Sequence, residues 1–363
     1  MGVDFSFERW KQTEETYRLW WEGELGRPVF PWTVKSRNPG RAEPNVPYER
    51  VMAYYDFSVA PEEIVDRYDY ELSKYEFIGD GFPRFWPNFG AGVVAAFLGA
   101  ETKATDQTVW FLEPDEREIE DIHFEYDADN PWLNRIKDIC RAAVDRWQGL
   151  VQISMTDLGG NLDILSTFRP SEKLLLDLYD KPEEVKRLTW EAHELWHRYY
   201  GEINEIIAPT NHGYTAWGGI LSDRPSYMLQ CDFCYMISPQ MFEEFVRPEL
   251  VATCGRLGRS FYHLDGIGQI PHLDSLLAIE DLGGVQWIAG DGQPAGAHWM
   301  DIYRKILSAG KRAQLYEYRE GVEVLEALNK ERPGLADGGL VLGAGGPEDG
   351  AKLREKFKRF GAE

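Results

Sequence analysis

The chain has 363 residues, a length that a single α/β barrel often reaches and that does not require a second domain. Its 61 acidic and 39 basic residues give a formal net charge of −22, which argues against nucleic acid and anionic membranes as partners. The 13 Trp, 18 Tyr and 18 Phe exceed what a core alone requires and are compatible with an aromatic-lined pocket.

The first 26 residues predict a charged, amphipathic helix that lacks the apolar centre of a signal peptide. The chain has no apolar run long enough to span a membrane. Cys140, Cys231, Cys234 and Cys254 do not have the spacing of a disulfide framework. We therefore expect a soluble, cytoplasmic protein with reduced thiols.

Short apolar or β-branched runs alternate with helical patterns along the rest of the chain, which indicates repeated βα units and a parallel sheet. Helices are predicted at 182–200 and 239–257. Strands are predicted at 28–34, 75–79, 150–156, 211–217, 260–264, 284–288, 313–318 and 340–343. Eight such units predict a single-domain (β/α)8 TIM barrel over residues 1–363.

A long segment at 80–131 follows the second predicted strand and is rich in Trp, Phe, Gly and Pro. Connections of this length are uncommon unless they have a function of their own. We expect this aromatic-rich insertion to form a lid or a pocket wall rather than a second domain.

Polar residues follow several predicted strands, where a barrel places its catalytic groups. They are Asp232, His263, Asp265, Gln286 and Glu317. His263 and Asp265 matter most, because residues two apart on a strand point to the same side and could hold one ion or substrate atom. An imidazole with carboxylates suits a metal that acts as a Lewis acid on a substrate oxygen. Alternatively, the pair forms only a mutual hydrogen bond, or holds substrate without a metal.

Residues 227–290 resemble the uroporphyrinogen decarboxylase superfamily, in the segments YMLQCDFCYMISPQMFEEFVRPEL and SFYHLDGIGQIPHLDSLLAIEDLGGVQWIAG. The resemblance extends from about Arg27 onward, implies an α/β barrel, and includes methyltransferases that work with corrinoid proteins. In those methyltransferases a His-x-Cys supplies zinc ligands, with another Cys near the final strand. Here Asp265 stands in place of the first Cys, and LVLGAGG at 340–346 contains no thiol. The implied metal, zinc or a harder ion, would be held by His263, Asp265 and Glu317.

The resemblance implies an enzyme that moves a methyl group between a small methylated compound and a corrinoid protein. His263, Asp265 and Asp232 would be its catalytic residues, and Gln286 would orient the substrate with Asp232. Asp232 could equally be a carboxylate that orders its loop. The corrinoid would be bound by a separate partner, because the chain shows no cobalamin-binding domain.

The alternative enzyme is a cofactor-free decarboxylase of a porphyrinogen or another aromatic or pyrrolic acid. In the porphyrinogen decarboxylases two arginines after the first strand grip substrate carboxylates, and Arg37 and Arg41 lie in a loosely similar place. Asp80 follows the second predicted strand, where those enzymes keep an aspartate for pyrrole nitrogens. Both arginines could also be exposed loop residues. A barrel that binds a small ligand without turnover is a third hypothesis.

Three tryptophans, Trp86, Trp217 and Trp287, follow predicted strands and are candidates for the pocket wall or for the core. Two other patterns are given no catalytic function. HELWH at 193–197 matches the zinc-protease pattern HExxH, but it lies in a predicted outer crossover helix whose polar face would meet solvent. The CxxC formed by Cys231 and Cys234 flanks Asp232 and lacks a second cysteine pair.

Overall fold

Parallel strands alternate with helices in the computed structural model, which describes residues 2–315 and 320–362. The strands are β1 (Pro31–Lys35), β2 (Tyr75–Gly79), β3 (Arg84–Phe85), β4 (Glu101–Ala104), β5 (Val109–Leu112), β6 (Gln152–Ile153), β7 (Ser226–Gln230), β8 (Arg259–Asp265), β9 (Gly284–Ile288), β10 (Arg312–Leu315), β11 (Gly339–Val341) and β12 (Gly343–Gly345). The fold is therefore mixed α/β.

The helices lie between and around these strands. They are α1 (Phe7–Glu22), α2 (Pro61–Leu72), α3 (Val94–Phe97), α4 (Pro131–Trp147), α5 (Asn161–Phe168), α6 (Ser171–Asp180), α7 (Pro182–Ile207), α8 (Pro239–Met241), α9 (Arg247–Arg256), α10 (Leu273–Leu277), α11 (Met300–Ser308), α12 (Gly321–Glu331) and α13 (Gly350–Lys358). A π-helical turn, Phe242–Val246, joins α8 to α9. In the described ranges, the helices lack the combination of length and apolar character needed to cross a bilayer.

The largest sheet contains five parallel strands in the order β11-β10-β9-β8-β7. A parallel bridge between Val29 and Leu340 connects it to a second sheet, β12-β1-β2. β3 pairs with β6 in parallel, and β4 pairs with β5 as an antiparallel hairpin. The five strands of the largest sheet run parallel, so their carboxyl ends lie at one edge, and Asp265 and Asp232 lie at or shortly after two of these ends.

One strand prediction is wrong, and one predicted strand runs in the other direction. The second predicted strand forms as β2 with the expected bounds, but it runs antiparallel to β1 and is therefore not part of a parallel βα unit. Residues 211–217 form no regular strand, because the Asn211 side chain both accepts from the Ile153 N–H at 3.0 Å and donates to its carbonyl at 2.8 Å. The side-chain amide of Asn211 thus makes the two hydrogen bonds to Ile153 that the backbone of a neighbouring strand would otherwise make. The parallel strand that follows is β7, which is not among the predicted strands.

Helix α1 covers the amino ends of the strands. Arg312, the first residue of β10, donates to the carbonyls of Trp20 and Trp21, each at 3.0 Å. Arg259, the first residue of β8, donates to the Trp21 carbonyl at 3.2 Å. The helix ends at Gly23 in the left-handed region, with φ 78°. The amino-terminal helix therefore closes the edge opposite to the strands' carboxyl ends.

The insertion at 80–131 contributes to the core as well as to the surface. It contains β3, α3 and the β4–β5 hairpin. Its side chains Phe82, Phe85, Phe89 and Phe97 are buried, whereas Trp110 in the hairpin is exposed. The segment thus has secondary structure of its own and packs into the common core, and a function as a lid stays a prediction.

Candidate functional site

The candidate site is a cluster of Asp232, His263 and Asp265, whose potential ligand atoms all lie within 4.8 Å of one another. Among the described residues, this is the cluster of three His, Cys, Asp or Glu side chains that lie close enough together to hold a metal ion. The Nε2 atom of His263 lies 3.7 Å from a carboxylate oxygen of Asp265. The structure therefore brings together the three residues predicted as catalytic.

Strand geometry places these residues. In β8 the side chains of His263 and Asp265 point to the same side, because they are two positions apart. Asp232 begins the 3-10 turn Asp232–Met236 directly after β7, the strand that pairs with β8. The carboxyl ends of two neighbouring parallel strands thus carry the cluster.

Asp163 holds the turn that carries Asp232. Its two carboxylate oxygens accept the backbone N–H groups of Asp232 and Phe233, each at 2.8 Å. Asp163 lies in the first turn of α5, so this helix fixes the position of the Asp232 backbone. A carboxylate that accepts two backbone N–H groups is a strong, directional anchor.

The loop after Asp265 packs against the same turn through Tyr235. A Cβ atom on Gly266 would lie 2.9 Å from the Tyr235 ring, and one on Gly268 would lie 2.7 Å from it. Gly266 also has φ +80°, which favours glycine. The Tyr235 ring therefore joins the loop after Asp265 to the turn of Asp232, and the two glycines allow its close approach.

Side chains of the neighbouring strands surround the His263 ring. Its Nδ1 atom lies 2.5 Å from Oε1 of Gln286, which is its register partner on β9. The Trp217 ring contacts it edge-on, with centroids 5.0 Å apart and an interplanar angle of 82°. The Trp217 indole N–H donates to the Met228 carbonyl at 3.2 Å. Gln286 and Trp217 therefore both contact the candidate site, and their binding of substrate stays a prediction.

The carboxylates of the cluster lie close together and shift the pKa values of the groups around them. Burial alone would lower the pKa of His263, but Asp265 and Asp232 outweigh it and raise that pKa. Asp232 is exposed as a residue, yet loss of water around its carboxylate raises its pKa, with His263 opposing and Asp265 adding to the shift. Burial, and then Asp232, raise the pKa of Asp163 to about 7. The site thus concentrates negative charge around one imidazole.

This donor set fits a divalent metal ion. One imidazole nitrogen and two carboxylates are ligands that Zn²⁺ and harder divalent ions accept. The four cysteines are buried free thiols. Burial above all raises the pKa of Cys231 well above its ordinary range, so its thiol stays protonated. The described part of the cluster would bind a metal through nitrogen and oxygen. Glu317, the third predicted ligand, lies outside the described residues.

Two residues predicted to bind substrate are held in ion pairs elsewhere. Asp80 accepts two hydrogen bonds from Arg27, each at 2.8 Å, and the backbone N–H of Phe30 at 2.9 Å. This places it at the amino end of β1, on the edge opposite to the cluster. Arg37, after the carboxyl end of β1, pairs with Asp4 at 2.9 Å. The structure brings neither of them into the cluster.

The other two predicted tryptophans have different surroundings. Trp287 lies next to Gln286 on β9 and therefore faces the opposite side of the sheet, where it packs on Trp299 with centroids 5.2 Å apart. Trp86 follows β3 and is half-buried. Its indole N–H is buried and has no hydrogen-bond partner among the described residues. Of the three tryptophans, the structure brings Trp217 to the cluster.

The HELWH segment lies in α7 and packs against α9 instead of facing solvent. His193 is buried, and its Nδ1 atom lies 2.9 Å from a carboxylate oxygen of Glu249. His197 reaches Thr253 at 3.3 Å, and Glu194 pairs with Arg256 at 2.5 Å. The two histidines therefore join two helices. The expectation that this face meets solvent is wrong for His193.

Three residues near the site were not predicted from the sequence. Asp157 follows β6, is buried, and lies close enough to His263 for the imidazole to lower its pKa. Asp163 anchors the turn of Asp232, and Gln314 contacts Gln286 at 2.9 Å. One signal was available for Gln314, because it sits in a predicted strand as Gln286 does. The other two are placed by contacts between distant segments.

Comparison with solved structures gives a shared fold and no closer relationship. The fold of parallel strands and crossover helices is similar to that of a methyltransferase from Methanosarcina mazei, with a TM-score of 0.62 and 14% sequence identity. The superposition covers 95% of this chain and 99% of that chain. No family model matches the sequence, and no curated protein matches it. At this identity the likeness shows the fold alone.

Proposed function

We propose that this chain is an enzyme that transfers a methyl group between a small methylated compound and a corrinoid bound by a separate partner protein. The observation that carries the proposal is the cluster of Asp232, His263 and Asp265 at the carboxyl ends of neighbouring parallel strands. The structural neighbour named as a methyltransferase supports it, because that likeness extends over nearly the whole length of both chains.

The architecture that belongs to this proposal is a (β/α)8 barrel. Its eight parallel strands would be β1, β3, β6, β7, β8, β9, β10 and β11, with β2 as an added antiparallel partner of β1. The parallel pairs described above support this arrangement. In such a barrel the cluster would lie at the mouth, where substrates bind.

The residues of the cluster have distinct functions in this proposal. A divalent metal, when bound, supplies Lewis-acid polarisation of the heteroatom that carries the methyl group. His263, Asp232 and Asp265 hold the ion, with Glu317 as a further proposed ligand. Asp163 keeps the Asp232 backbone in place through its two hydrogen bonds. Trp217 shields one side of the imidazole from water.

Metal content tests the proposal directly. We expect the protein purified after growth with zinc to carry roughly one divalent ion per chain, and His263→Ala and Asp265→Asn to lose it. His193→Ala, in the HELWH segment, is the matched histidine control and should keep the ion. Elemental analysis of the purified variants measures this. Retention by His263→Ala, or loss by His193→Ala, would contradict the metal assignment.

Methyl transfer needs its own assay. Methylated amines, thioethers and methoxyaromatic compounds would be mixed with free cob(I)alamin, and methylcobalamin formation would be followed by absorbance. We expect turnover with one of these classes and its loss in His263→Ala. Ligand binding by calorimetry without any transfer would favour a non-catalytic barrel.

The decarboxylase alternative has less support than methyl transfer. It would use Arg37 or Arg41 on substrate carboxylates and Asp80 or Asp232 opposite a ring cation. Both arginines and Asp80 are paired within the chain. We therefore propose the transferase alone.

A further inference from the structure

We propose that Gln286 and Gln314 are positioning residues that fix the tautomer of His263, so that Nδ1 carries the proton and Nε2 faces the two carboxylates. We call Gln286 and Gln314 together the glutamine chain. The inference deepens the proposed function and rests on it only for its consequence for metal binding. Neither glutamine touches substrate in this proposal.

The three side chains form one row across neighbouring strands. His263 of β8 is paired in register with Gln286 of β9, and Gln286 is paired with Gln314 of β10. Register partners on parallel strands point to the same side, so their side chains meet. Gln286 is 1% exposed and Gln314 is fully buried, which prevents water from replacing their contacts.

The direction of the row is set at its far end. The Nε2 atom of Gln314 lies 2.8 Å from the backbone carbonyl of Gly218. A carbonyl oxygen can only accept, so the amide NH₂ of Gln314 must point to Gly218. Its Oε1 atom therefore points the other way, towards Gln286.

The same reasoning passes along the row to the histidine. Oε1 of Gln314 can only accept, and it lies 2.9 Å from Nε2 of Gln286, which donates. Oε1 of Gln286 then faces Nδ1 of His263 at 2.5 Å. Because that oxygen also only accepts, Nδ1 must carry a hydrogen. The reverse orientation would set two acceptors, Oε1 of Gln314 and the carbonyl of Gly218, against each other in a buried place.

The proton on Nδ1 determines the state of the other ring nitrogen of His263, Nε2. In the neutral imidazole, a proton on Nδ1 leaves the lone pair on Nε2, the atom that lies 3.7 Å from Asp265. Histidine ligands of metals characteristically donate their second ring N–H to an oxygen, which fixes the ring and its tautomer. The glutamine chain meets this requirement with no ion bound.

The segment that ends the row is itself held in place. Arg84 donates to the carbonyls of Ala216 and Trp217, each at 3.2 Å. Trp217 packs edge-on against His263, and the next residue, Gly218, receives the hydrogen bond of Gln314. One short segment therefore contacts the histidine directly and also through the two glutamines.

The test is the ¹⁵N spectrum of histidine-labelled, metal-free protein above the pKa of His263, with the signal assigned through His263→Asn. We expect the Nδ1–H tautomer in the unchanged protein. Gln314→Met removes both polar ends and should release Gln286, so that the spectrum shows a mixture of tautomers. Gln314→Glu, when protonated, can still donate to Gly218 and accept from Gln286, and should restore the single tautomer.

Gln230 provides the matched control. It is the register partner of His263 on β7, the opposite neighbour of β8, and it is also buried. Gln230→Met should leave the tautomer unchanged. An Nε2–H tautomer in the unchanged protein, or a Gln314→Met spectrum identical to it in a folded variant, would overturn the inference. If Gln314→Met does not fold, the same comparison is made with Gln286→Met.

Metal affinity separates this inference from the proposed function. We expect Gln314→Met to weaken Zn²⁺ binding about tenfold in a chelator competition, and Gln230→Met to leave it unchanged. If the unchanged protein binds no metal but shows the Nδ1–H tautomer, the metal assignment fails and the inference stands. If metal binds tightly with the other tautomer, the inference fails and the metal assignment stands.

Discussion

Asp157 is a buried acid close to the cluster, with a chemistry that the sequence did not predict. Burial above all raises its pKa to about 6, although the Gly159 N–H and the nearby His263 act in the opposite direction. Its carboxylate accepts from the Gly159 N–H at 3.0 Å and from the Tyr227 hydroxyl at 3.3 Å. An acid of this kind is partly protonated just below neutral pH and can exchange a proton near the site.

Asp157 should make the stability of the protein depend on pH. Because the pKa is about 6 in the folded chain and ordinarily 3.8, the folded state binds the proton more tightly, and its stability falls as pH rises from about 4 to above 6. Asp157→Asn stays neutral and keeps an accepting oxygen. We expect it to raise the free energy of unfolding by up to about 3 kcal/mol above pH 6, with a smaller gain towards pH 4.

Urea unfolding at a series of pH values measures this difference. Asp180→Asn, which changes an exposed carboxylate at the end of α6, is the control and should show no such trend. A gain for Asp157→Asn that does not vary with pH would contradict the assignment of the raised pKa to this residue.

The two elements that carry the carboxylates depend on each other. The 3-10 turn Asp232–Met236 and the loop after β8 meet through the Tyr235 ring, which is 52% exposed and packs on two glycines. The separation between Asp232 and Asp265 is therefore set by contacts between loops and by β7–β8 pairing together. This makes the cluster sensitive to changes outside it.

Gly268→Ala tests that dependence. The added methyl group would lie 2.7 Å from the Tyr235 ring, so the ring must move and the two loops must separate. Since the ring is at the surface, we expect a loss of only about 1 kcal/mol in stability but a clear weakening of Zn²⁺ binding. Tyr235→Ala combined with Gly268→Ala removes the clash and shows whether the effects of the two changes are additive. Additive effects in a double-mutant cycle would show that the two residues act independently.

The positions of site residues on their strands explain which of them could be predicted from the sequence. His263 and Asp265 were predicted because residues two apart at a strand end point to one side. Asp232 was predicted as following the fourth predicted strand, 211–217, whereas the strand that precedes it is β7. Trp287 was assigned to the pocket by position alone. It lies one residue after Gln286 on β9, and successive residues of a strand point to opposite sides of the sheet. Asp163 could not be predicted, since its partners lie about 70 residues away, a separation at which local patterns carry no information.

The whole molecule separates stability from the candidate chemistry. Helix α1 packs across the amino ends of the strands with Trp10, Trp20 and Trp21 buried, whereas the cluster lies at the carboxyl ends. The Trp21 indole N–H donates to the Leu221 carbonyl at 2.9 Å, and its ring packs against Phe261. The amino ends of the strands are therefore covered by packed side chains, and the carboxyl ends carry the candidate site. The same division is found in α/β barrels.

Trp21→Ala should therefore lower stability without changing the site. Removing this buried ring costs about 3–5 kcal/mol in comparable cores, and it also leaves the Leu221 carbonyl without its donor. We expect a lower midpoint in thermal unfolding and unchanged Zn²⁺ affinity at low temperature. Trp110→Ala, at an indole that is 61% exposed, should change neither. A large loss of metal affinity in folded Trp21→Ala would show that the two edges are coupled.

The burial of all four sulfhydryl groups has a practical consequence. Burial above all raises the pKa of both Cys140 and Cys254 to about 12, so few of these two sulfurs are anionic near neutrality. Alkylating reagents and peroxide attack that anionic form at accessible positions. The native protein should thus remain unmodified during aerobic handling and on exposure to iodoacetamide, which mass measurement would check.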